Sequence, residues 1–206
     1  MFRRIVTIAA AITLPLLLAE TVGSESAVAS PILPGSVTCS GNWSGTIHFT
    51  PALKNGGVSP KEKMKIVATL GNTAKPCVTT AGTIELGAIN GTLGFVFPGA
   101  NNCTTIFSGA PLPAPVAASK LKMTWTAPPG APTVWKQPPA FSVTGAVGLT
   151  DIAIVGGALT AGSSFPAPPP PNATLSDAGW PAAIAGACAS VAGLSSLTLG
   201  TSSGTW

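Results

Sequence analysis

Apolar and polar side chains take turns along much of this chain. Over Lys120-Leu121-Lys122-Met123-Thr124-Trp125-Thr126 the alternation is strict, so Leu121, Met123 and Trp125 share one side of an extended backbone. Trp43 to Thr50 repeats it, with Trp43, Ile47 and Phe49 inward and His48 on the polar side beside Thr46 and Thr50. Met64, Ile66, Ala68 and Leu70 make a third apolar row. Ile84 with Leu86, Leu93 with Phe95 and Phe97, Phe141 with Val143 and Val147, Ile152 with Ile154, and Leu197 with Leu199 complete a set of about eight strands. Only Trp180 to Leu194, rich in Ala and Gly, approaches a helical period.

Proline punctuates the rows at Pro111 to Pro115, Pro128-Pro129-Gly130, Pro138-Pro139 and Pro166 to Pro171. A residue with no N–H cannot serve a ladder, so these segments read as loops. Short alternating strands with regular breaks predict an all-β fold, an antiparallel β-sandwich or alternatively a closed β-barrel. The Pro-rich loop at 166–171 favours a stiff polyproline II conformation. It is not a domain boundary, because about 35 residues after it are too few for a core.

The first residues read as an export signal. Arg3 and Arg4 precede an apolar stretch from Ile5 to Ala19, and Ala27-Val28-Ala29 fits cleavage before Ser30. The stretch is broken by Pro15 and falls short of the roughly 20 apolar residues that span a bilayer. Residues 1–29 are therefore expected to be a signal peptide, and 30–206 a single secreted β domain with no transmembrane helix.

Four cysteines behind such a signal, Cys39, Cys77, Cys103 and Cys188, imply two disulfides. Sequence alone leaves three connectivities. If the strands at 43–50 and 64–70 form an antiparallel hairpin, Cys39 and Cys77 meet at its open end, which leaves Cys103 for Cys188. Zinc is the rival use of cysteine, but no closely spaced pair and one histidine argue against it.

Charge and chemistry narrow the function by what is scarce. Residues 30–206 carry eight lysines, the carboxylates Glu62, Glu85, Asp151 and Asp177, one histidine and no arginine. Lys61, Lys63 and Lys65 beside Glu62 form the one local basic cluster and read as a solvated hairpin flank. Without arginine and a denser basic stripe, nucleic acid is not an expected partner. General acid–base and nucleophilic chemistry need groups that move protons, and few are present. His48 is a surface histidine on the strand pattern. Gly200-Thr201-Ser202-Ser203-Gly204 matches a nucleophile elbow in letters, but no helix follows it. Glu85 and Asp151 are the pair a glycan-cleaving enzyme would use. No cofactor motif and no metal cluster is present.

Five tryptophans remain. Trp43 and Trp125 fall on apolar rows and belong to the core. Trp135 and Trp180 lie between prolines, where an exposed indole suits a sugar ring, so they are the candidate ligand contacts. Asn42, Asn90, Asn102 and Asn172 fit the N-x-S/T acceptor pattern.

The stretch Cys39-Ser40-Gly41-Asn42-Trp43-Ser44-Gly45-Thr46-Ile47-His48-Phe49-Thr50-Pro51-Ala52-Leu53 resembles the opening of a group of small exported actinobacterial proteins. The strand ending at Trp125 and the close from Cys188 through Gly193-Leu194-Ser195-Ser196-Leu197-Thr198-Leu199 are similar too. Members often carry a Gly-Ser-Phe-x-Gly turn where this chain has Gly162-Ser163-Ser164-Phe165-Pro166. The resemblance implies a secreted β-rich protein and brings no activity or functional residue with it. The expectation is a non-catalytic exported domain, associated with the cell envelope through a glycan or protein partner. An envelope β-barrel or pore subunit and a glycan-acting enzyme are the alternatives.

Overall fold

The computed structural model describes residues 37–41, 43–72, 74–80, 84–85, 87–109, 112–125, 133–136, 140–144, 150–155, 158–159 and 172–205. At 84–85, 133–136, 140–144, 155 and 158–159 the description is of backbone alone. The expected signal peptide at 1–29 and the proline run at 166–171 lie outside the described residues.

The elements are β1 (Val37–Ser40), β2 (Ser44–Leu53), β3 (Lys61–Leu70), β4 (Cys77–Thr79), β5 (Ile84–Glu85), β6 (Gly87–Val96), α1 (Cys103–Ile106), β7 (Lys120–Trp125), β8 (Thr133–Lys136), β9 (Ala140–Thr144), β10 (Asp151–Val155), β11 (Ala158–Leu159), β12 (Asn172–Ser176), α2 (Trp180–Ala189), β13 (Leu194–Leu199) and β14 (Ser203–Thr205). Among the described residues they build two sheets, β5-β4-β1-β14-β12-β10-β9 and β11-β8-β7-β6-β3-β2-β13. Every pairing is antiparallel. Both sheets are open at their ends, so the fold is a sandwich and the closed-barrel alternative is set aside.

Alternation explains the layers. On β3 the exposed residues Lys61, Lys63, Lys65, Val67 and Thr69 take turns with buried Glu62, Met64, Ile66, Ala68 and Leu70. Strand β7 repeats this, with Leu121, Met123 and Trp125 inward. The inward rows of the second sheet meet Val37, Cys39, Ile152, Ile154, Ala173 and Leu175 of the first in one core cluster. Trp43 and Trp125 both belong to that cluster, as their phase predicts. The expected hairpin forms, β2 against β3 from Ser44↔Thr69 to Thr50↔Lys63.

Both disulfides pair as expected, Cys39–Cys77 and Cys103–Cys188. The geometry behind the first is fuller than a hairpin's open end. The chain leaves both ends of the β2–β3 pair for the opposite sheet, where β1 and β4 run side by side at Val37↔Thr79 and Thr38↔Val78. The bridge sits one residue further along that ladder, across a Cα separation of 4.1 Å. The second bridge spans 6.1 Å between Cα atoms and joins the start of α1 to the end of α2. All four cysteines are thus used in disulfides, which suits an oxidising, extracellular location. Among the described residues no helix is long and apolar enough to cross a membrane.

Candidate functional site

The outer face of the second sheet collects most of the chain's basic groups. Lys61, Lys63 and Lys65 on β3 are exposed there, as are Lys120 and Lys122 on β7 and His48 on β2. Register aligns them across the strands. One row runs Ser196↔His48↔Lys65↔Thr92↔Lys120↔Lys136, from β13 to β8. The next runs Thr198↔Thr46↔Val67↔Asn90↔Lys122. In the sequence the three β3 lysines form an isolated flank. Pairing of β3 and β7 to opposite sides of β6 turns them into one field with Lys120 and Lys122. His48 is held within the face, its Nε2 2.9 Å from Thr46 Oγ1.

No described carboxylate shares this face. Glu62, the nearest acid in sequence, is in phase with Met64 and Ile66 and points into the sandwich, 2% exposed. Asp151 belongs to β10 and Asp177 follows β12, both on the other sheet. Beside the lysines lies a shallow open depression of about 520 Å³, lined by Ser44, Val67, Thr69, Asn90, Lys122 and Thr124 among others. Its lining mixes hydroxyl, amide and ammonium groups with the aliphatic Val67, Ala68, Ala88 and Ile89.

Glu62 is the one described carboxyl in an unusual setting. Its Oε2 accepts a short hydrogen bond from Asn101 Nδ2, and the same Nδ2 lies 3.0 Å from the Lys61 carbonyl. Asn101 is itself 2% exposed and anchored by its backbone N–H to the Ser59 carbonyl at 2.9 Å. Among the described residues, Glu62 Oε1 and Asn101 Oδ1 are buried acceptors with no donor. Loss of hydration on burial pushes the Glu62 carboxyl up to about 7, against the opposing pull of the Thr50 backbone N–H and the Asn101 amide. Below about pH 7 the protonated, neutral carboxyl is thus the majority form of Glu62. The sequence held the signal: Glu62 stands two residues before Met64 on an alternating strand.

The two tryptophans expected in exposed loops are placed otherwise. Trp180 opens α2 and is 1% exposed, with Nε1 donating to the Thr198 carbonyl. The proline beside it marks a helix start, where a missing N–H costs nothing, and not a loop. Trp180 is therefore a core anchor of α2 on β13 and not a surface ligand contact. Trp180→Phe, which loses the indole N–H and part of the buried ring system, is expected to cost about 2 to 3 kcal/mol in thermal or urea unfolding. An unchanged midpoint would mean that the bond contributes nothing. Trp135 lies on strand β8, paired with the core residue Leu121, and its side chain is outside the described residues.

The remaining candidates stay apart. Glu85 on β5 and Asp151 on β10 stand five strand positions apart in the first sheet. At roughly 4.8 Å per strand that is on the order of 24 Å, whereas a glycosidase pair needs about 5–10 Å. Ser202, in the nucleophile-elbow look-alike, is fully buried and tied to the backbone of Ser176 at 3.0 and 3.3 Å. Asn102 caps α1, its Oδ1 accepting from the Thr105 N–H at 2.9 Å. Among the described residues no group of three or more His, Cys, Asp or Glu side chains is placed to hold a metal ion. An open groove of about 570 Å³ lies between α1 and α2 beside the Cys103–Cys188 bridge, with Phe107 and Ile184 in its wall.

No protein-family model, curated protein or solved structure matches the chain.

Proposed function

We propose that this chain is an exported, non-catalytic β-sandwich domain that binds a partner at the cell envelope through the outer face of its second sheet. The observation that carries the reading is the segregation of charge. Five exposed lysines and His48 occupy one sheet face that bears no described carboxylate. A protein charged only for solubility mixes its signs over the surface, because like charges gathered on one side repel. Two disulfides and the signal-like leader at 1–29 support an extracellular setting, and the likeness to small exported actinobacterial proteins points the same way. The non-catalytic part is supported by the wide separation of Glu85 and Asp151 and by the exposed, hydroxyl-bonded state of His48.

Envelope fractionation tests the reading. The wild-type protein is expected with the envelope and to be released by salt. A triple charge reversal, Lys63→Glu, Lys65→Glu and Lys122→Glu, should move it to the medium. Equal release of both proteins, or recovery only with detergent, would sink the reading.

A further inference from the structure

The lysine-bearing face has a shape as well as a charge, and the shape selects among anionic partners. Along β3 the lysines recur every second residue, about 7 Å apart, and across the sheet at one- or two-strand steps, about 5 to 10 Å. They are spread as a field and do not converge on a point. A small anion held by one buried donor cluster has no counterpart here. A partner with charges repeated along its length does.

From these observations we infer that the outer face of the second sheet binds an anionic polysaccharide, laid across the strands along the row from His48 through Lys65 to Lys120. This inference rests on the envelope-binding reading above and names its partner. Thr92 stands between Lys65 and Lys120, and Asn90 beside Lys122, side chains that both donate and accept and so suit sugar hydroxyls. The depression beside Lys122, rimmed by Ser44, Thr69, Asn90 and Thr124, gives a ring somewhere to settle. Each exposed ammonium–carboxylate contact contributes little alone, about 0–1 kcal/mol. A repeating ligand that engages Lys65 and Lys120 on its row, with Lys63 or Lys122 from the rows beside it, gains by multivalency, because later contacts form within the first complex.

Two other polyanions fit less well. A membrane surface would want large apolar or aromatic groups to insert, and this face offers Val67, Val96 and, over Gly94, Val116, at 38%, 52% and 39% exposure and none of them aromatic. Nucleic acid is gripped by arginine forks and stacked on aromatic rings. Arginine occurs only at Arg3 and Arg4, and no described outward residue of the face is aromatic.

The test is titration of the purified full-length protein, by calorimetry or affinity electrophoresis, against four probes. These are polygalacturonate, uncharged dextran, vesicles of phosphatidylglycerol and a duplex DNA. Binding to polygalacturonate alone is expected, weakening at least tenfold as salt is raised from about 50 to about 500 mM. Lys65→Glu with Lys122→Glu should weaken it a further tenfold or more at an unchanged melting temperature. Lys54→Glu with Lys75→Glu, an equal charge change off the face, should leave it within twofold. No polygalacturonate binding, equal loss in both double variants, or tighter binding to vesicles or DNA would overturn the inference. Envelope retention without polysaccharide binding would remove this partner and leave the envelope-binding reading standing; loss of retention would remove that reading.

Discussion

Replacing Cys103 and Cys188 together by alanine is expected to lower the unfolding free energy by about 4 to 5 kcal/mol. The size follows from the loop. A sequence separation of 85 residues is closed by that bridge, against 38 for Cys39–Cys77, and the entropy removed from the unfolded chain grows with the logarithm of loop length. The second loop gives about 4 kcal/mol on the same account. The longer bridge also has less local support. Cys39 and Cys77 lie on strands paired by backbone hydrogen bonds, whereas Cys103 and Cys188 tie together two short helices. Without the covalent link, α1 is held by the edge-to-face contact of Phe107 with Phe49, centroids 6.3 Å apart, and by the Asn102 cap. Urea unfolding under oxidising conditions measures the loss. A decrease below about 1 kcal/mol would mean that the bridge follows the fold rather than supporting it.

How much of this was legible in the chain depends on what a period-two pattern can carry. Strands β2, β3 and β7 stand out because a large apolar residue occupies every second position, and their phase correctly placed Trp43 and Trp125 in the core. Register is less legible, since it depends on which strands become neighbours. Nothing in the local sequence says that β3 and β7 both flank β6, and that adjacency is what gathers five lysines on one face. Strand β14 was missed for another reason: Ser203-Gly204-Thr205 offers no apolar side chain, and its inward residue is a glycine. Strands β1 and β4 are hidden because they are short and their inward pairs, Val37 with Cys39 and Cys77 with Thr79, each spend one position on a cysteine that reads as a staple and not as a member of an apolar row. Trp180 was misplaced by reading proline as a loop marker where it opens a helix. Glu62 was misread by its neighbours. Three lysines around it suggested a solvated flank, yet the alternation that exposes them is what buries it.

That burial makes stability depend on pH in a direction opposite to the usual carboxylate. A carboxyl held near 4.5 in the unfolded chain and raised to about 7 in the folded one keeps its proton more tightly when folded. Between those values the unfolded state binds fewer protons, so stability falls as pH rises, fully present below about 4.5 and lost by the time pH passes about 7. The loss should approach 3 kcal/mol between about pH 4 and about pH 8, since each unit of difference corresponds to about 1.4 kcal/mol. Glu62→Gln isolates this contribution. Glutamine stays neutral and still accepts from Asn101 Nδ2 through its own oxygen. Near pH 5 the variant should match wild type within about 1 kcal/mol, and near pH 8 it should be the more stable of the two by roughly 2 to 3 kcal/mol. Subtracting the two pH profiles cancels the other titrating groups, which both proteins share. A difference profile flat across this range would show that Glu62 is hydrated in solution and that no buried proton links the lysine-bearing strand to Asn101. A rise toward acid in wild type alone would instead mark this carboxyl as the point where the β2–β3 end of the sandwich loosens in alkaline surroundings. There the charged form leaves Glu62 Oε1 a buried acceptor with no donor among the described residues.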